Sequence, residues 1–280
     1  MKLTYYGTAA AGGFPGFYCE DDLCMKVRNV GGRNIRTRSQ AMVDDKILID
    51  HPQDTYLHVC MYGLPIHKIN NIIITHNHPD HLYVEDLFLR RKGFADLKNP
   101  TPLKIYGSTA VIETIQLTEE RKNMVERMLE QNTIALHEIT LFEPFYVEGY
   151  KVTALNASHS ASQSMMYMLE KDNKAMLYAH DTGLFPDCTM EYLKDIKVHF
   201  DLVSFDCTNG ILQLSENNHM GLNGNIIMRE RLLNIGCIRK DTRCILNHFS
   251  HKCGVCYDDF VPIAAEKGFE VSYDAMVAEF

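Results

Sequence analysis

The sequence predicts a mixed α/β protein in which two packed sheets carry helices on their outer faces. Strand-like apolar runs arrive in hairpin clusters, and amphipathic helix-like runs separate those clusters. The turns within the clusters carry the Asp, Asn and Gly residues that tight hairpins favour. No low-complexity linker or internal repeat divides the chain, so residues 1–280 are expected to form a single domain.

Taken in order, Lys2–Tyr6 is an apolar, aromatic strand that runs into the glycine-rich turn Gly7–Pro15. Strands Ala41–Val43 and Lys46–Asp50 flank the turn pair Asp44-Asp45, and a helix follows over Asp54–Tyr62. Asn71–Thr75 is a short buried strand, with a helix over Tyr83–Arg91 after it. Leu103–Tyr106 is a strand, and Thr109–Leu117 and Glu119–Gln131 are helices. Strands Tyr150–Leu155, Met165–Glu170 and Ala175–Tyr178 form a second hairpin cluster, with turn signals at Glu148-Gly149 and Lys171-Asp-Asn-Lys174. Strands Leu202–Phe205, Arg243–Leu246 and Phe269–Tyr273 alternate with helices over Asn223–Leu233 and Tyr257–Glu266. The stretch 94–148 is the least constrained and is assigned to shaping a substrate cleft.

Composition narrows the function. Hydrophobic residues make up 46% of the chain, ample for a large core, and no run is long enough to span a membrane. The first residues read as strand and turn rather than as a signal peptide. The nine cysteines, an odd number scattered along the chain, do not look like a disulfide framework and fit a reducing cytoplasm. A net charge of −8 argues against long nucleic acid as the main partner and leaves room for a small anionic substrate.

The chemistry concentrates in Asn71-Ile-Ile-Ile-Thr-His-Asn-His-Pro-Asp-His81. The strand delivers His76, His78, Asp80 and His81 to a loop, and Pro79 blocks continuation of the strand. Imidazoles suit zinc, iron and similar ions. Asp80 and His81 are adjacent, so they diverge from the His76/His78 pair, a geometry that suits two ions rather than one.

The pattern His-x-His-x-Asp-His resembles the signature of the metallo-β-lactamase-fold hydrolases, and the likeness extends in order along the chain. Asn156-Ala-Ser-His159, Leu177-Tyr-Ala-His-Asp181 and Leu246-Asn-His248 each follow a strand-like segment and resemble the later motifs of that family. The resemblance implies a four-layer αββα sandwich with metals at one edge, between the sheets. It implies that His76, His78 and His159 hold one divalent ion, that Asp80, His81 and His248 hold the other, and that Asp181 bridges them. A water between the ions would serve as nucleophile. Asp50, at the end of its strand, matches an aspartate that orients a ligand, although His51-Pro52 follow where the family prefers a small residue. His248 competes with His251 for its place and is preferred because it directly follows the strand. His58, His67, His137 and His199 are read as structural or solvated.

Within the superfamily the chain resembles the branch that holds the cyclic-nucleotide phosphodiesterase of carbon–phosphorus lyase operons and the tRNA-processing endonuclease Z. The glycine-rich turn, the basic segment Arg36-Thr-Arg38 and Asp206-Cys-Thr…Asn218-His219-Met-Gly-Leu222 carry this likeness. His219 is a candidate proton donor to the leaving oxygen, alongside Asp80 and Asp50 as candidate catalytic residues; its alternative is a helix-start histidine with a local hydrogen bond. Lys26, Arg28, Arg33, Arg36 and Arg38 either attract phosphate or form a solvated basic loop. The first expectation is hydrolysis of a small phosphodiester, with zinc ahead of manganese or iron. Carboxylic ester, thioester or lactone hydrolysis is the alternative, and a tRNA endonuclease or a noncatalytic metal-binding protein stands further back. The flavin-linked diiron branch carries a glutamate where this chain has His78. The phosphodiesterase relatives also carry a structural zinc on three cysteines and a histidine. Here Cys19 and Cys24 match the outer cysteines, Asp21 stands at the middle one, His251 matches the histidine, and Cys253 or Cys256 is a substitute thiolate; reduced packing cysteines are the other reading. Such relatives are often homodimers.

Overall fold

The structure, a computed structural model, describes residues 1–98 and 100–280. Among these residues the strands in the first half are β1 (Lys2–Gly7), β2 (Gln40–Val43), β3 (Ile47–Ile49), β4 (Asn71–Ile73), β5 (Leu103–Gly107) and β6 (Ile134–Glu138). Then come β7 (Pro144–Val147), β8 (Tyr150–Asn156), β9 (Met165–Lys171), β10 (Lys174–Ala179), β11 (Leu202–Asp206), β12 (Arg243–Asn247), β13 (Glu270–Val271) and β14 (Met276–Glu279). They form two seven-stranded sheets, ordered β14-β1-β2-β3-β4-β5-β6 and β13-β12-β11-β10-β9-β8-β7. The helices are α1 (Asp22–Val30), α2 (Thr55–Tyr62), α3 (Val84–Leu87), α4 (Thr109–Ile115), α5 (Glu119–Glu130), α6 (Asp187–Ile196), α7 (Leu222–Asn234) and α8 (Tyr257–Glu266).

The strands read as unbroken apolar runs because both of their faces are buried. On β3, Ile47 and Ile49 enter the layer between the sheets, while Leu48 enters the layer beneath the outer helices. On β10, Met176 and Tyr178 face the other sheet, and Ala175, Leu177 and Ala179 face the helices. Val111, Ile115, Val125 and Met128 of α4 and α5 cover the first sheet. Leu193, Met228, Leu232 and Phe260 of α6, α7 and α8 cover the second. The result is the expected order of layers, helix, sheet, sheet, helix.

The turn signals hold, with Asp44 and Asp45, Glu148 and Gly149, and Asp172 and Asn173 all at positive φ, as tight hairpins require. Several elements were not expected. β6, β7 and β14 extend sheet edges with short, half-exposed sequences. α1 is polar and buries only Cys24 and Val27, with Asp21 capping its first turn. α6 starts behind Pro186 and buries Thr189 and Leu193. The helix expected over Tyr83–Arg91 is shorter: α3 gives way at Phe88 to a 3-10 turn over Phe88–Arg90. The stretch 94–148 is for the most part not an unconstrained excursion, because β5, α4, α5 and β6 complete the first sheet and its helical cover. No helix among the described residues is long and apolar enough to cross a membrane.

Candidate metal centre

The parallel strands β3, β4, β10, β11 and β12 end at one edge of the sandwich, and the residues just past those ends converge there. Asp50 follows β3, His76 to His81 follow β4, Asp181 follows β10, Asp206 ends β11, and His248 follows β12. His159 enters from the loop after β8. Asp50, Asp181 and His248 have φ values of 64°, 49° and 63°, so the chain turns sharply at each of them.

The donor atoms gather into overlapping groups, each within 4.8 Å: His76, His78 and His159; Asp80, His81 and His248; and His76, His81 and Asp181. The Nδ1 of His78 lies 3.1 Å from the Nε2 of His76 and 3.2 Å from the Nε2 of His159. Two nitrogens bound to one tetrahedral ion at ordinary zinc distances sit about 3.3 Å apart. An Asp181 oxygen lies 2.7 Å from His81 Nε2 and 2.9 Å from His248 Nε2, and its other oxygen lies 3.6 Å from His159 Nε2. Asp181 therefore spans the two groups. His81 Nε2, His248 Nε2 and Asp181 Oδ2 are buried atoms without a partner in hydrogen-bond geometry. Buried polar atoms left so are costly, and divalent ions fit this donor set.

The far side of most rings is anchored, which fixes the inward nitrogen. His76 Nδ1 lies 3.0 Å from Thr75 Oγ1. His81 Nδ1 lies 2.7 Å from Asp50 Oδ2, and the other Asp50 oxygen accepts from the Thr75 amide at 2.8 Å. His248 Nδ1 lies 2.8 Å from Thr208 Oγ1, and His159 Nδ1 lies 3.3 Å from the Asn218 carbonyl. Burial alone would push the His81 and His248 rings down. Asp181, with Asp80 and Asp50 beside His81 and Asp206 beside His248, instead holds His81 well above its ordinary value and His248 up at about 10. Burial would raise Asp181, but His248 and His81 hold it well below the carboxylate range. His76 is driven well down, by burial and by His81.

His219 stands at the rim, with Nδ1 3.2 Å from Asp206 and 3.7 Å from Asp181. Burial would lower its value, and Asp206 raises it above the ordinary histidine range. Asp206, which the sequence reading quoted within a motif without giving it a role, lies with Asp181, His219 and His248 in one group of donor atoms. It accepts from the Asp181, Thr208 and Met220 amides at 3.1, 3.1 and 2.9 Å, tying three segments of the site together. Its position at a strand end, like that of Asp50, is the signal that marks it. His58 is structural as expected, wedged between Gln40 and Thr37. His51, buried with an unpartnered Nδ1, lines a separate apolar cavity of about 280 Å³.

The second cluster is smaller than the sequence reading allowed. Cys19, Asp21 and Cys24 offer donor atoms within 4.8 Å. The His251 ring packs against Gly12 and Gly16, where an added Cβ would meet it at 2.7 and 2.5 Å. Cys253 is not part of the group, because its thiol turns inward to the Val255 carbonyl at 3.1 Å. Asp21 is occupied on both oxygens, by the Cys24 amide at 2.7 Å and by Lys252 Nζ at 2.7 Å. Arg36 is not a free phosphate anchor either: it is buried, and its guanidinium donates to the Ser272 carbonyl and to Thr8.

Residues 49–236 match the beta-lactamase superfamily domain. The chain belongs to that family. The two-sheet sandwich is that of the metallo-β-lactamase fold, a family that binds divalent metals, and the clustered histidines and aspartates here fit a dinuclear site. It is 28% identical over 176 residues to a ribonuclease Z of Staphylococcus carnosus (strain TM300), a match covering 61% of this chain and 49% of that protein. The chain thus spans about half the length of the curated relative it matches. Among solved structures it resembles a diphosphatase of the PhnP family, with TM-score 0.73 and 20% identity over 100% of this chain and 96% of that one. It also resembles zinc-bound PqqB from Methylobacterium extorquens, with TM-score 0.74 and 17% identity over the whole of both chains. These structural likenesses establish the fold.

Proposed function

We propose that this chain hydrolyses a small phosphodiester at a dinuclear centre held by His76, His78, Asp80, His81, His159, Asp181 and His248, with zinc as the first metal to try. The observation that carries the reading is the His219–Asp206 pair beside the bridging carboxylate, with His219 3.2 Å from Asp206. When bound, two divalent ions supply a nucleophilic water of lowered pKa and neutralise charge on the phosphoryl oxygens. The protein's own residues do the rest. Asp50 and Thr208 hold His81 and His248 in one tautomer. Asp181 sets the spacing between the two groups. His219, whose pKa Asp206 raises, gives its proton to the departing oxygen. A small substrate agrees with the net charge of −8, since a long polyanion needs a strongly basic face. The ribonuclease Z relative supports a second reading, cleavage of a tRNA precursor, which a 3′-extended tRNA substrate tests directly.

Protein reconstituted separately with zinc and with manganese should release nitrophenol from bis(p-nitrophenyl) phosphate, and the His76→Ala variant should not. Absence of release with both metals bound would move the assignment to ester, thioester or lactone substrates. The His219→Ala variant should lose roughly 10² in turnover on diesters with poor leaving groups and much less on activated ones. Equal losses on both would remove His219 from the role of acid.

We propose further that Cys19 and Cys24 hold a structural zinc together with His251, with Asp21 drawn away from Lys252. Native mass spectrometry should then show a third metal that the Cys19→Ser/Cys24→Ser variant lacks. Identical stoichiometry in both proteins would assign these cysteines to packing.

A further inference from the structure

The residues just ahead of His219 form a strap that ties the acid, a metal-group histidine and a helix to one another. The Glu216 carboxylate accepts from the Gly221 amide at 3.0 Å, at the start of α7, where no side chain of the cap residue itself does so. A carboxylate there also faces the positive end of the helix. The Glu216 carbonyl accepts from the Leu184 amide at 2.8 Å, just past Asp181. The Asn217 carbonyl accepts from Ser158 Oγ at 2.5 Å, and the Asn218 carbonyl faces His159 Nδ1 at 3.3 Å. The packing leaves no slack. A Cβ on Gly183 would stand 2.1 Å from the Glu216 carbonyl oxygen, and a Cβ on Gly224 would stand 2.2 Å from Glu216 Oε2. Neither glycine has positive φ, so close approach rather than backbone freedom explains both.

We infer that Glu216 is a positioning residue, whose anchorage to α7 and to the Asp181 loop fixes His219 in line with the leaving oxygen. The inference rests on the proposed role of His219 as acid. Glu216 acts through hydrogen bonds it accepts, not through a proton it transfers. A side-chain amide at this position keeps one acceptor toward α7, whereas a methyl keeps none, and the backbone carbonyl keeps its bond to Leu184 in either variant.

The test compares Glu216→Ala, Glu216→Gln and Gly224→Ala in metal-loaded protein on methyl aryl phosphodiesters of graded leaving-group pKa. Glu216→Ala should lose at least about tenfold more turnover on the phenyl than on the p-nitrophenyl ester, with KM little changed. Glu216→Gln should restore most of the loss. Gly224→Ala, although alanine is the better helix former, should show the same selective loss, because its methyl displaces the carboxylate. In the His219→Ala background the effect of Glu216→Ala should vanish. Where His219→Ala is itself selective for poor leaving groups, equal losses across the ester series in Glu216→Ala, or no loss, would overturn the inference. A second readout separates it from the acid assignment: the His219 imidazole resonances, followed by NMR, should shift and broaden in Glu216→Ala and not in Glu216→Gln. An unmoved His219 signal overturns the positioning role. A moved signal without leaving-group selectivity in His219→Ala leaves Glu216 as its anchor and overturns only the acid assignment.

Discussion

Replacement of Asp181 by alanine should reduce turnover to below about a thousandth of the wild-type value, a loss of about 4 kcal/mol in transition-state stabilisation. The magnitude follows from its central position. One oxygen stands within 2.9 Å of both His81 and His248, and the other faces His159 and His219. Removing the carboxylate takes away the one group that reaches the donors of both clusters, and leaves Asp80 as the remaining acid in the group with His81 and His248. The fold should survive, because Asp181 lies in the loop beyond β10 and belongs to none of the three apolar clusters. The checks are turnover on bis(p-nitrophenyl) phosphate, metal content and circular dichroism, each against wild type. Wild-type turnover, or full metal content with wild-type turnover per metal, would refute the bridging assignment.

Stripping the metals should abolish activity entirely, and their return should release protons. With no metal bound, Asp181 and its neighbouring carboxylates hold His81 well above its usual value and His248 at about 10, which favours the protonated form of both rings. Those protons occupy the nitrogens a divalent ion needs. Calorimetric titration of zinc into stripped protein near pH 7 should therefore show a heat that depends on the buffer's ionisation enthalpy. Affinity should also fall as pH drops. The same shifts set the stability of the stripped protein. A raised pKa stabilises the fold fully below the unfolded histidine value, near 6.5, and that contribution is lost as pH rises through about 10 for His248. Stripped protein should accordingly lose stability between those limits, and zinc-loaded protein should not follow the same curve. Buffer-independent heats would show that the rings are neutral before binding.

Much of this was legible in the sequence because the residues concerned satisfy local rules. The apolar runs of β2, β3, β4, β10 and β12 and the turn pairs between strands announce themselves, and the ordered ligand motifs follow strand ends. The parts missed depend on distant partners. β6, β7 and β14 are edge strands, half exposed, and pair only because a neighbouring strand already stands beside them. α1 is polar on most of its surface, and only its cap and its two buried side chains distinguish it from a loop. Glu216 resembles any acid in a loop until folding delivers a backbone amide to it, whereas the strand-end position of Asp206 was readable and its three amide partners were not. The expected thiolate contribution of Cys253 failed for the same reason, since spacing along the chain says nothing of where a thiol points.

The left-handed turns at Asp50, Asp181 and His248 bear on how this protein can be engineered. Such a conformation costs a side-chain-bearing residue roughly 1–3 kcal/mol, and glycine adopts it freely. A campaign that selects only for heat resistance will therefore be drawn toward glycine at those three strand ends. Each such step would relax the backbone and delete a side chain of the metal centre. Screens on this scaffold should hold the three positions fixed and look for gains in the outer helices instead.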